Sequence, residues 1–538
     1  MNGTMMNYPL TLVPMLERAG KLFGQVEIVS RLPDRSLHRT TYADFYRRAR
    51  ALAESLSRAG LKPGDRVGTL MWNHYAHLEA YFGIPIAGGV AHTLNLRLSP
   101  NQLAYVINHA QDRFLIVDDV LLPLYEKIKG QVKPERVLVV PLTGKPVPKG
   151  YDSYEAFLGQ ASGNFSYPKL EENQAAAMCY TSGTTGKPKG VLYSHRALVL
   201  HSFAIGLTDT FALSQHDTIL PVVPMFHANA WGIPFVATML GSKQVFPGPH
   251  LDAENLLDLY EKERVTFAAG VPTIWFALLE ALEKNPGRWK LTPGMHLLVG
   301  GAAAPESMLR RYDQLGLHVI HAWGMTEMTP AGSVSKLKPG MDDWPEDKRY
   351  QVRAKQGLPM PFVETRAVSE DGEVPWNGQS MGELQVRGPW VAASYYNLPE
   401  ERDKWTSDGW FRTGDVVTID PEGYIKITDR IKDLIKSGGE WISSVDLENA
   451  LMAHPSVKEA AVIAIPHPKW QERPLAVVVP KETNHATAEE LKTFLAANFA
   501  RWQLPDAFVF TESIPRTSTG KFLKTKLREQ FADWKWDS

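Results

Sequence analysis

Apolar and polar positions follow two periods along the chain, one typical of helices and one typical of buried strands. Residues 41–59 space their apolar side chains as a helix does, and residues 67–72 form a mostly apolar run that predicts a strand. Helix followed by strand recurs further on, with helices predicted at 103–110 and 253–264 and strands at 113–117 and 266–269. This alternation favours parallel sheets covered by helices, and therefore an α/β fold.

The pattern changes towards the C-terminal end, where residues 420–437 are dense in charge. Beyond them the periodicity predicts two helices, at 444–453 and 488–499, and two strands, at 457–465 and 475–479. A chain of 538 residues is longer than one hydrophobic core accommodates, so at least two domains are expected. We place the boundary near Asp429, which gives a large domain at 1–428 and a small α+β domain at 429–538.

Composition and charge narrow the classes of function. The 58 lysines and arginines nearly cancel the 59 aspartates and glutamates, so no overall field attracts nucleic acid or an anionic membrane. No window offers the roughly 20 apolar residues of a membrane span, and the N-terminal residues lack a signal-peptide pattern. A single cysteine, Cys179, allows no intramolecular disulfide. We therefore expect a cytoplasmic protein with no nucleic-acid partner and no integral membrane segment.

The most informative segment is YTSGTTGKPKG at residues 180–190, which is rich in small, hydroxylated and basic side chains. Its glycines let backbone N–H groups approach an anion, its hydroxyls donate hydrogen bonds, and Lys187 and Lys189 supply positive charge. The segment is not a Walker A loop, because Gly183 and Gly186 are too close and a proline follows Lys187. It therefore predicts a loop that binds polyphosphate.

This segment resembles the motif of the adenylate-forming superfamily of acyl-CoA synthetases, adenylation domains and luciferases. Further stretches resemble that family's motifs in the same order: the adenine turn (300–304), a second nucleotide motif (321–327), the ribose motif (410–415), the interdomain hinge (429–434), the thiolation loop (436–441) and the catalytic-lysine loop (515–521). The resemblance implies a large N-terminal domain of layered parallel sheets and helices. It also implies a small, mobile α+β C-terminal domain that carries the catalytic lysine.

The resemblance also implies which residues bind ATP. They are Thr181, Ser182, Gly183, Thr184, Thr185, Lys189, Gly301, Ala302, His321, Ala322, Trp323, Thr326, Asp415, Arg430, Lys432 and Lys436. Asp415 suits the ribose, because a carboxylate accepts hydrogen bonds from both hydroxyls. For Lys432 and Lys436 the alternative, that they are merely solvated lysines of a charged linker, remains open.

Catalysis in such an enzyme brings a substrate carboxylate to the α-phosphorus of ATP, where negative charge crowds. By resemblance, Lys521 is the cation that meets this charge, and we place His227 beside it among the catalytic residues. Mg²⁺ prefers oxygen ligands and bridges phosphates with one or two protein oxygens. The family's ligands correspond to Glu327 and to the hydroxyl of Thr181.

Residues 224–232, PMFHANAWG, resemble the segment that lines the acyl pocket and supplies an aromatic gate in long-chain members. His227 and Trp231 are four residues apart, so both lie on one face if this stretch is helical. Ordinary core packing is the alternative for Trp231. Gly438, Gly439 and Trp441 correspond to the side that coenzyme A approaches.

We therefore expect an ATP-dependent acid:CoA ligase that forms acyl-CoA, AMP and pyrophosphate through an acyl-adenylate. Its substrates would be ATP, coenzyme A and a medium- to long-chain fatty acid, with Mg²⁺ as cofactor, and the resemblance to fatty acyl enzymes implies a homodimer. One alternative is a ligase for a short thioether acid such as 3-methylthiopropionate, or for an aryl acid. Others are a stand-alone adenylation domain that loads a carrier protein, and a nucleotide-binding protein that has lost the chemistry.

Overall fold

The computed structural model describes residues 1, 3–181, 187–437, 440–481, 486–517 and 521–536. In chain order its α-helices are α1 (Val13–Leu22), α2 (Tyr42–Arg58), α3 (Tyr75–Ile86), α4 (Pro100–Ala110), α5 (Leu122–Glu126), α6 (Tyr154–Leu158), α7 (His195–Gly206), α8 (Ala228–Trp231), α9 (Ile233–Leu240), α10 (Ala253–Glu263), α11 (Pro272–Lys284), α12 (Glu306–Gln314), α13 (Glu346–Arg353), α14 (Ser444–Ala453), α15 (Ala488–Ala496) and α16 (Lys524–Gln530). Short 3-10 helices occupy Asp119–Leu121, Lys129–Gln131, Thr326–Met328, Pro399–Lys404 and Arg501–Gln503.

The strands alternate with these helices over most of the chain. They are β1 (Glu27–Arg31), β2 (Leu37–Thr41), β3 (Arg66–Leu70), β4 (Val90–Thr93), β5 (Asp112–Asp118), β6 (Arg136–Val140), β7 (Asp152–Ser153), β8 (Ala175–Tyr180), β9 (Gly190–Ser194), β10 (Thr218–Pro221), β11 (Lys243–Phe246), β12 (Phe267–Gly270), β13 (His296–Val299), β14 (His318–Gly324), β15 (Ala331–Val334), β16 (Leu358–Pro359), β17 (Glu364–Ser369), β18 (Gly372–Glu373), β19 (Gly382–Arg387), β20 (Phe411–Ile419), β21 (Ile425–Arg430), β22 (Ile435–Ser437), β23 (Glu440–Ile442), β24 (Val457–His467), β25 (Gln471–Pro480) and β26 (Ala507–Phe510).

Two mainly parallel sheets form the centre of the large domain. One has the order β7-β6-β5-β3-β4-β8-β9, in which only β9 runs antiparallel to its neighbour. The other has the order β16-β15-β14-β13-β12-β10-β11-β1-β2 and is parallel from β14 to β1. The predicted α/β fold class is confirmed.

Helix α2 illustrates how sequence and packing agree in this domain. Its N-terminus is capped by Thr41, whose side chain accepts a hydrogen bond from the backbone N–H of Asp44. The apolar residues at helical spacing are those that become buried: Phe45, Ala49, Leu52 and Leu56. Each large apolar side chain contributes roughly 1.5–3 kcal/mol through its burial. The helix packs so closely on α3 that a Cβ on Gly83 would lie 2.8 Å from a Leu52 methyl group.

A third sheet follows in the chain, and the apolar pattern did not predict it. It is antiparallel, with the order β18-β17-β19-β20-β21. Its strands leave one face partly exposed and carry charged side chains there, so they lack the apolar runs of the parallel strands. The sheet matters for function because β20 and β21 hold Asp415 and Arg430 side by side.

The small domain contains the helices and strands that were predicted for it. In the long hairpin β24-β25, both β22 and β26 pair with β25, and α14 packs against β24. The boundary near Asp429 stays a prediction; this residue is the penultimate one of β21. Among the described residues, no helix combines the length and the hydropathy that crossing a membrane requires.

Candidate active site

A cavity of about 280 Å³ opens where the carboxyl ends of several parallel strands face the small domain. Strands β8, β13 and β14 end there, as expected for a ligand site in an α/β protein. The sequence-predicted residues that line it are Thr181, Lys189, His227, Trp231, Gly301, Ala322, Trp323, Thr326, Glu327, Arg430, Lys432 and Lys521. Residues from both domains therefore converge on one space.

The two ends of the predicted phosphate loop are joined by hydrogen bonds. The N–H of Thr181 donates to the carbonyl oxygen of Lys189 at 2.9 Å, and the N–H of Lys189 donates to Oγ1 of Thr181 at 3.1 Å. These bonds extend the pairing of β8 with β9, in which Tyr180 lies opposite Gly190. The predicted phosphate ligands Ser182, Gly183, Thr184 and Thr185 lie outside the described residues.

The loop lysines have partners on neighbouring elements. Lys189 Nζ lies 2.5 Å from a carboxylate oxygen of Glu401 and 5.2 Å from the ring centre of Tyr395. Lys187 Nζ lies 5.2 Å from the ring centre of Tyr105. The carboxylate of Glu401 and the ring of Tyr395 thus hold the Lys189 ammonium close to the cavity.

Glu327 is buried in the short helix Thr326–Met328, on the cavity wall. Its Oε1 accepts a hydrogen bond of 2.5 Å from the hydroxyl of Tyr395, and its backbone carbonyl accepts one of 2.7 Å from Ala392. Burial, and secondarily the nearby Glu327 carboxylate, raise the pKa of Tyr395. The phenol therefore remains a hydrogen-bond donor throughout the physiological range.

The chemistry of these donors fits Mg²⁺ bound together with ATP. No group of three or more histidine, cysteine, aspartate or glutamate side chains arranged for a metal is found in the described part of the chain. A cage built wholly from protein is thus not formed by those residues, whereas Mg²⁺ commonly takes one or two protein oxygens and completes its shell with phosphates and water. Glu327 and the Thr181 hydroxyl, both on the cavity wall, supply such oxygens.

Asp415, the predicted ribose ligand, lies just behind this wall. Its Oδ1 is 2.5 Å from Nε of Arg430, and its Oδ2 accepts a hydrogen bond of 2.9 Å from the indole N–H of Trp323. The carboxylate is buried, whereas Arg430 is 39% exposed at the cavity. The Asp415 carboxylate thus contacts two other predicted nucleotide residues, Arg430 and Trp323.

Lys521 reaches the cavity from the small domain. Desolvation, together with the positive charge of Arg430, lowers the pKa of its ammonium to about 8, although Asp415 and Glu327 act in the opposite direction. A Cβ built on Gly301 would lie 3.7 Å from Cε of Lys521, which places the lysine beside the predicted adenine turn. The cation is therefore next to the carboxylates and the nucleotide motifs.

The segment that carries His227 and Trp231 differs from the expectation. Four consecutive residues, Ala228 to Trp231, have positive φ angles of 43°, 52°, 49° and 58°, so the turn is left-handed. The condition under which His227 and Trp231 would share one helix face is not met, because His227 precedes the turn with an extended backbone (φ −108°, ψ 107°). Both side chains nevertheless line the cavity. Burial, with the charges of Lys521 and Arg97, lowers the pKa of His227 to about 3, so its imidazole is neutral.

The cavity lining includes an apolar part, to which Phe211, Leu298, Pro330 and Ala331 contribute. Three of these residues, Phe211, Leu298 and Ala331, share one hydrophobic cluster with Trp231. The Trp231 indole packs against the adenine turn so closely that a Cβ on Gly300 would lie 3.1 Å from its Cη2 atom. Trp231 thus lies against the predicted adenine turn at the cavity wall.

Several predicted residues do not line this cavity. His321 is buried behind it, where one ring nitrogen lies 3.0 Å from the Ala354 carbonyl oxygen and the other accepts from the Ala304 N–H. Ala302 faces an adjoining groove between the domains. Lys436 and Trp441 pair across β22 and β23 on the small domain. Gly438 and Gly439 lie outside the described residues.

The structure adds residues that the sequence reasoning missed. Tyr395, Lys404, Phe211 and Thr413 line the cavity, and Glu401 pairs with Lys189. An available signal was the stretch Tyr395-Tyr-Asn-Leu-Pro-Glu-Glu401, in which aromatic and acidic residues flank a turn-forming Asn and Pro. For Phe211 no such signal exists, because an isolated apolar residue has the same pattern in a core.

Comparison with known proteins assigns the family. The AMP-binding enzyme family model matches residues 17–396, and that of the AMP-binding enzyme C-terminal domain matches residues 446–521. A crystal structure of the anthranilate CoA ligase AuaEII in complex with anthranoyl-AMP superposes with a TM-score of 0.87 at 26% identity, covering 97% of this chain and 98% of that one. The chain belongs to the AMP-binding enzyme family, as its motifs predicted.

Curated relatives cover nearly the whole chain. A long-chain-fatty-acid–CoA ligase of Thermus thermophilus is 52% identical, covering 99% of this chain and 97% of that protein. A 3-methylmercaptopropionyl-CoA ligase of Ruegeria lacuscaerulensis is 45% identical, covering 99% of both chains. A medium-chain-fatty-acid–CoA ligase of Ectopseudomonas oleovorans is 44% identical, covering 99% and 98%. These relatives share the name of CoA ligase but differ in the acid.

Proposed function

We propose that this enzyme is an acid:CoA ligase that uses ATP to activate a medium- to long-chain fatty acid, through an acyl-adenylate, and then transfers the acyl group to coenzyme A. The observation that carries the proposal is the convergence of Lys521 with Glu327, Thr181 and Trp231 on one cavity. A cation, a metal-binding carboxylate and an apolar space then surround the place where a carboxylate would meet ATP. The names of the relatives from Thermus thermophilus and Ectopseudomonas oleovorans support this choice of acid.

In the adenylation step a carboxylate oxygen of the acid bonds to the α-phosphorus, and the bond from that phosphorus to the departing pyrophosphate breaks. Lys521 stabilises the charge that accumulates on the α-phosphate, and Lys189 stabilises the departing phosphates. His227, being neutral, acts as a hydrogen-bond partner near the acid and not as a charged group. Asp415 orients the ribose with Trp323 as its support.

We propose that Mg²⁺ is bound by Glu327 and Thr181 together with ATP. When bound, the ion neutralises charge on the phosphate oxygens. Tyr395 keeps the Glu327 carboxylate in place by its hydrogen bond. The ion therefore needs few protein ligands in a cavity that already has Lys189 and Lys521.

In the thioester step the sulfur of coenzyme A bonds to the acyl carbon while the carbon–oxygen bond to AMP breaks. We propose that the nucleotide of coenzyme A binds the small domain on the surface around Ser437. There Ser437 pairs with Gln471, next to Trp470, and one nitrogen of Arg473 donates to both Ser437 Oγ and the Trp502 carbonyl. Three tryptophans around this junction stay at least 42% exposed: Trp441, Trp470 and Trp502. Exposed indole faces suit a stacked adenine.

The choice of acid is tested with pyrophosphate exchange into ATP, using propionate, 3-methylthiopropionate, benzoate, octanoate and palmitate. We expect exchange to be fastest with the longer aliphatic acids. Each added methylene group that is buried in the apolar part of the cavity stabilises the bound acid by roughly 0.8 kcal/mol. Fastest exchange with 3-methylthiopropionate would favour the thioether acid instead, in agreement with the relative from Ruegeria lacuscaerulensis. Absence of exchange with every acid would refute the proposed reaction.

The Trp231→Ala variant tests the acyl end in the same assay. Removing the indole opens the space between Gly300 and the apolar lining, so the preference for one chain length should fall about tenfold. Unchanged ratios of kcat/KM among the acids would show that Trp231 is only a packing residue.

We also propose, from the sequence, that the protein is cytoplasmic and forms a homodimer. Burial of Cys179, whose thiol is fully enclosed, agrees with a reducing compartment. Sedimentation analysis of the purified protein would establish whether it is a dimer.

A further inference from the structure

Residues 390–401 connect the turn that carries Glu327 to the predicted phosphate loop that carries Lys189. The N–H of Ala392 donates to the carbonyl oxygen of Glu327 at 2.7 Å, and the N–H of Tyr396 donates to the carbonyl oxygen of Gly190 at 2.8 Å. One short segment is thus anchored to the Glu327 turn at one end and to the phosphate loop at the other.

Tyr395 lies between these two anchors and contacts a functional side chain on each side. Its hydroxyl donates to Oε1 of Glu327 at 2.5 Å, and Lys189 Nζ lies 5.2 Å from its ring centre. Among the described residues, Tyr395 is the one hydrogen-bond donor to the Glu327 carboxylate. When one oxygen of a carboxylate is held in place, the bond angles of the group also limit where its second oxygen can point.

The surroundings of Tyr395 leave it little freedom. The side chain is 7% exposed, and its ring meets Trp405 edge-to-face at 5.2 Å between centroids. Trp405 is itself fixed, because its indole N–H donates to the Ala392 carbonyl oxygen at 2.7 Å. On the far side, Glu401 holds Lys189 at 2.5 Å.

We propose that Tyr395 is a positioning residue of the adenylation reaction, which sets the Glu327 carboxylate and the Lys189 ammonium at one fixed spacing for a metal-bound triphosphate. The inference rests on the proposed function, because it concerns the same ATP site. Hydrogen-bond partners of metal ligands orient them, and losing one typically weakens metal affinity 10- to 100-fold. The hydroxyl acts on the metal, whereas the ring acts on the loop lysine.

The Tyr395→Phe variant separates these two effects, because it keeps the ring and removes the hydroxyl. We expect the Mg²⁺ concentration for half-maximal pyrophosphate exchange to rise about 10- to 100-fold, with most of the rate recovered at saturating Mg²⁺. Binding of Mn²⁺ in the presence of ATP, measured by electron paramagnetic resonance of the free ion, should weaken by the same factor. Wild-type Mg²⁺ and Mn²⁺ dependence in this variant would overturn the proposal.

Tyr154→Phe is the matched control. The Tyr154 hydroxyl also donates to a buried glutamate, Oε2 of Glu79 at 2.8 Å, but on α3 and away from the cavity. This variant should lose a comparable hydrogen bond without any change in metal dependence. A similar rise in both variants would mean that general destabilisation, and not carboxylate orientation, is the cause.

Two further variants keep the test decisive if Tyr395→Phe folds poorly. Trp405→Phe leaves Tyr395 in place and weakens its support, so a rise in the Mg²⁺ requirement of about threefold or more is expected, smaller than for Tyr395→Phe. Combined with Glu327→Ala, Tyr395→Phe should cause no additional loss of Mn²⁺ binding, because the carboxylate it orients is gone. An additional loss would overturn the proposal. A wild-type enzyme without any exchange activity would instead refute the proposed function.

Discussion

At the scale of single residues, Lys521 decides the first half-reaction. Replacing it by alanine removes the cation beside the α-phosphate, and we expect adenylate formation to fall by at least about a hundredfold. Thioester formation from supplied acyl-adenylate should remain within a few-fold of wild type, because the bond to pyrophosphate is already broken. Single-turnover assays of the two half-reactions measure both, and equal losses would contradict this role.

The pKa of Lys521 gives the same residue a pH dependence. With the pKa lowered to about 8 by burial, the ammonium is the main form below pH 8 and is lost as pH rises through that value. We therefore expect kcat/KM for adenylation to decline on the alkaline side near pH 8, since this parameter reports the free enzyme. In Lys521→Arg the decline should move to higher pH, because a guanidinium stays protonated. An identical profile in Lys521→Arg would assign the titration to another group.

The sequence predicted the chemical groups of the site better than their surroundings. Lys521, Glu327, Thr181 and Trp231 were named from motifs and do line one cavity. Glu401 and Tyr395 were missed because their contacts join positions far apart in the chain, about 68 residues for Tyr395 with Glu327. His321 was named as a nucleotide residue, yet burial and two backbone partners place it behind the wall.

At the scale of elements, the turn of α8 stores backbone strain next to the cavity. Left-handed backbone costs an alanine roughly 1–2 kcal/mol, and Ala230 has a φ of 49°. We expect Ala230→Gly to cost about 1–2 kcal/mol less than Ala49→Gly, an equally buried change in the right-handed helix α2. Calorimetric unfolding of both variants measures the difference, and equal costs would show that the turn is not strained.

Helices and strands were predictable where burial gives their apolar residues a regular spacing, and they were less predictable elsewhere. Helix α14 was predicted with its observed bounds and α2 within one residue, because apolar residues recur at helical spacing in each of them. The α8 turn was not, since a left-handed turn of Ala-Asn-Ala-Trp has no pattern of its own and depends on contacts such as that of Asn229 with Cys179. The partly exposed strand β21 was not predicted, because its charged residues interrupt the apolar run by which a buried strand is recognised.

At the scale of the whole molecule, a buried cluster of charges joins strand β21, at the predicted boundary, to helices α14 and α16 of the small domain. Lys524 Nζ lies 2.7 Å from a Glu448 carboxylate oxygen, and Ser444 donates two hydrogen bonds to Asp429. Burial raises the pKa of Glu448 to about 7, against the opposing effect of Lys524. Glu448 therefore contributes stability that is present below its unfolded pKa of 4.5 and lost as pH rises through about 7.

Removing the cation from this cluster should destabilise the junction. We expect Lys524→Met to lower the free energy of unfolding by about 3–5 kcal/mol at pH 8, because Glu448 and Asp429 stay buried without it. The deficit should shrink at pH 5.5, where protonation of Glu448, whose pKa is about 7, relieves its buried charge. Denaturant unfolding at the two pH values measures this, with the exposed Lys526→Met as control. A deficit that grows on acidification would contradict the account.

The family and the α/β fold class were thus predictable from the sequence, and the comparisons confirm them. Seven motifs in fixed order carry that information, and they span most of the chain. How the domains meet was not predictable, because it depends on contacts between residues far apart in the chain, such as the approach of Lys521 to Gly301.

The enclosure of Cys179 has a practical consequence for following the two lobes in solution. Its sulfur is inaccessible, and burial raises the pKa of the thiol to about 11, so the reactive thiolate is scarce at neutral pH. Maleimide dyes should therefore leave the native protein unlabelled. Cysteines introduced at exposed Asp371 and Glu489 would then accept a donor and acceptor pair, one on each lobe, without any background from the natural thiol.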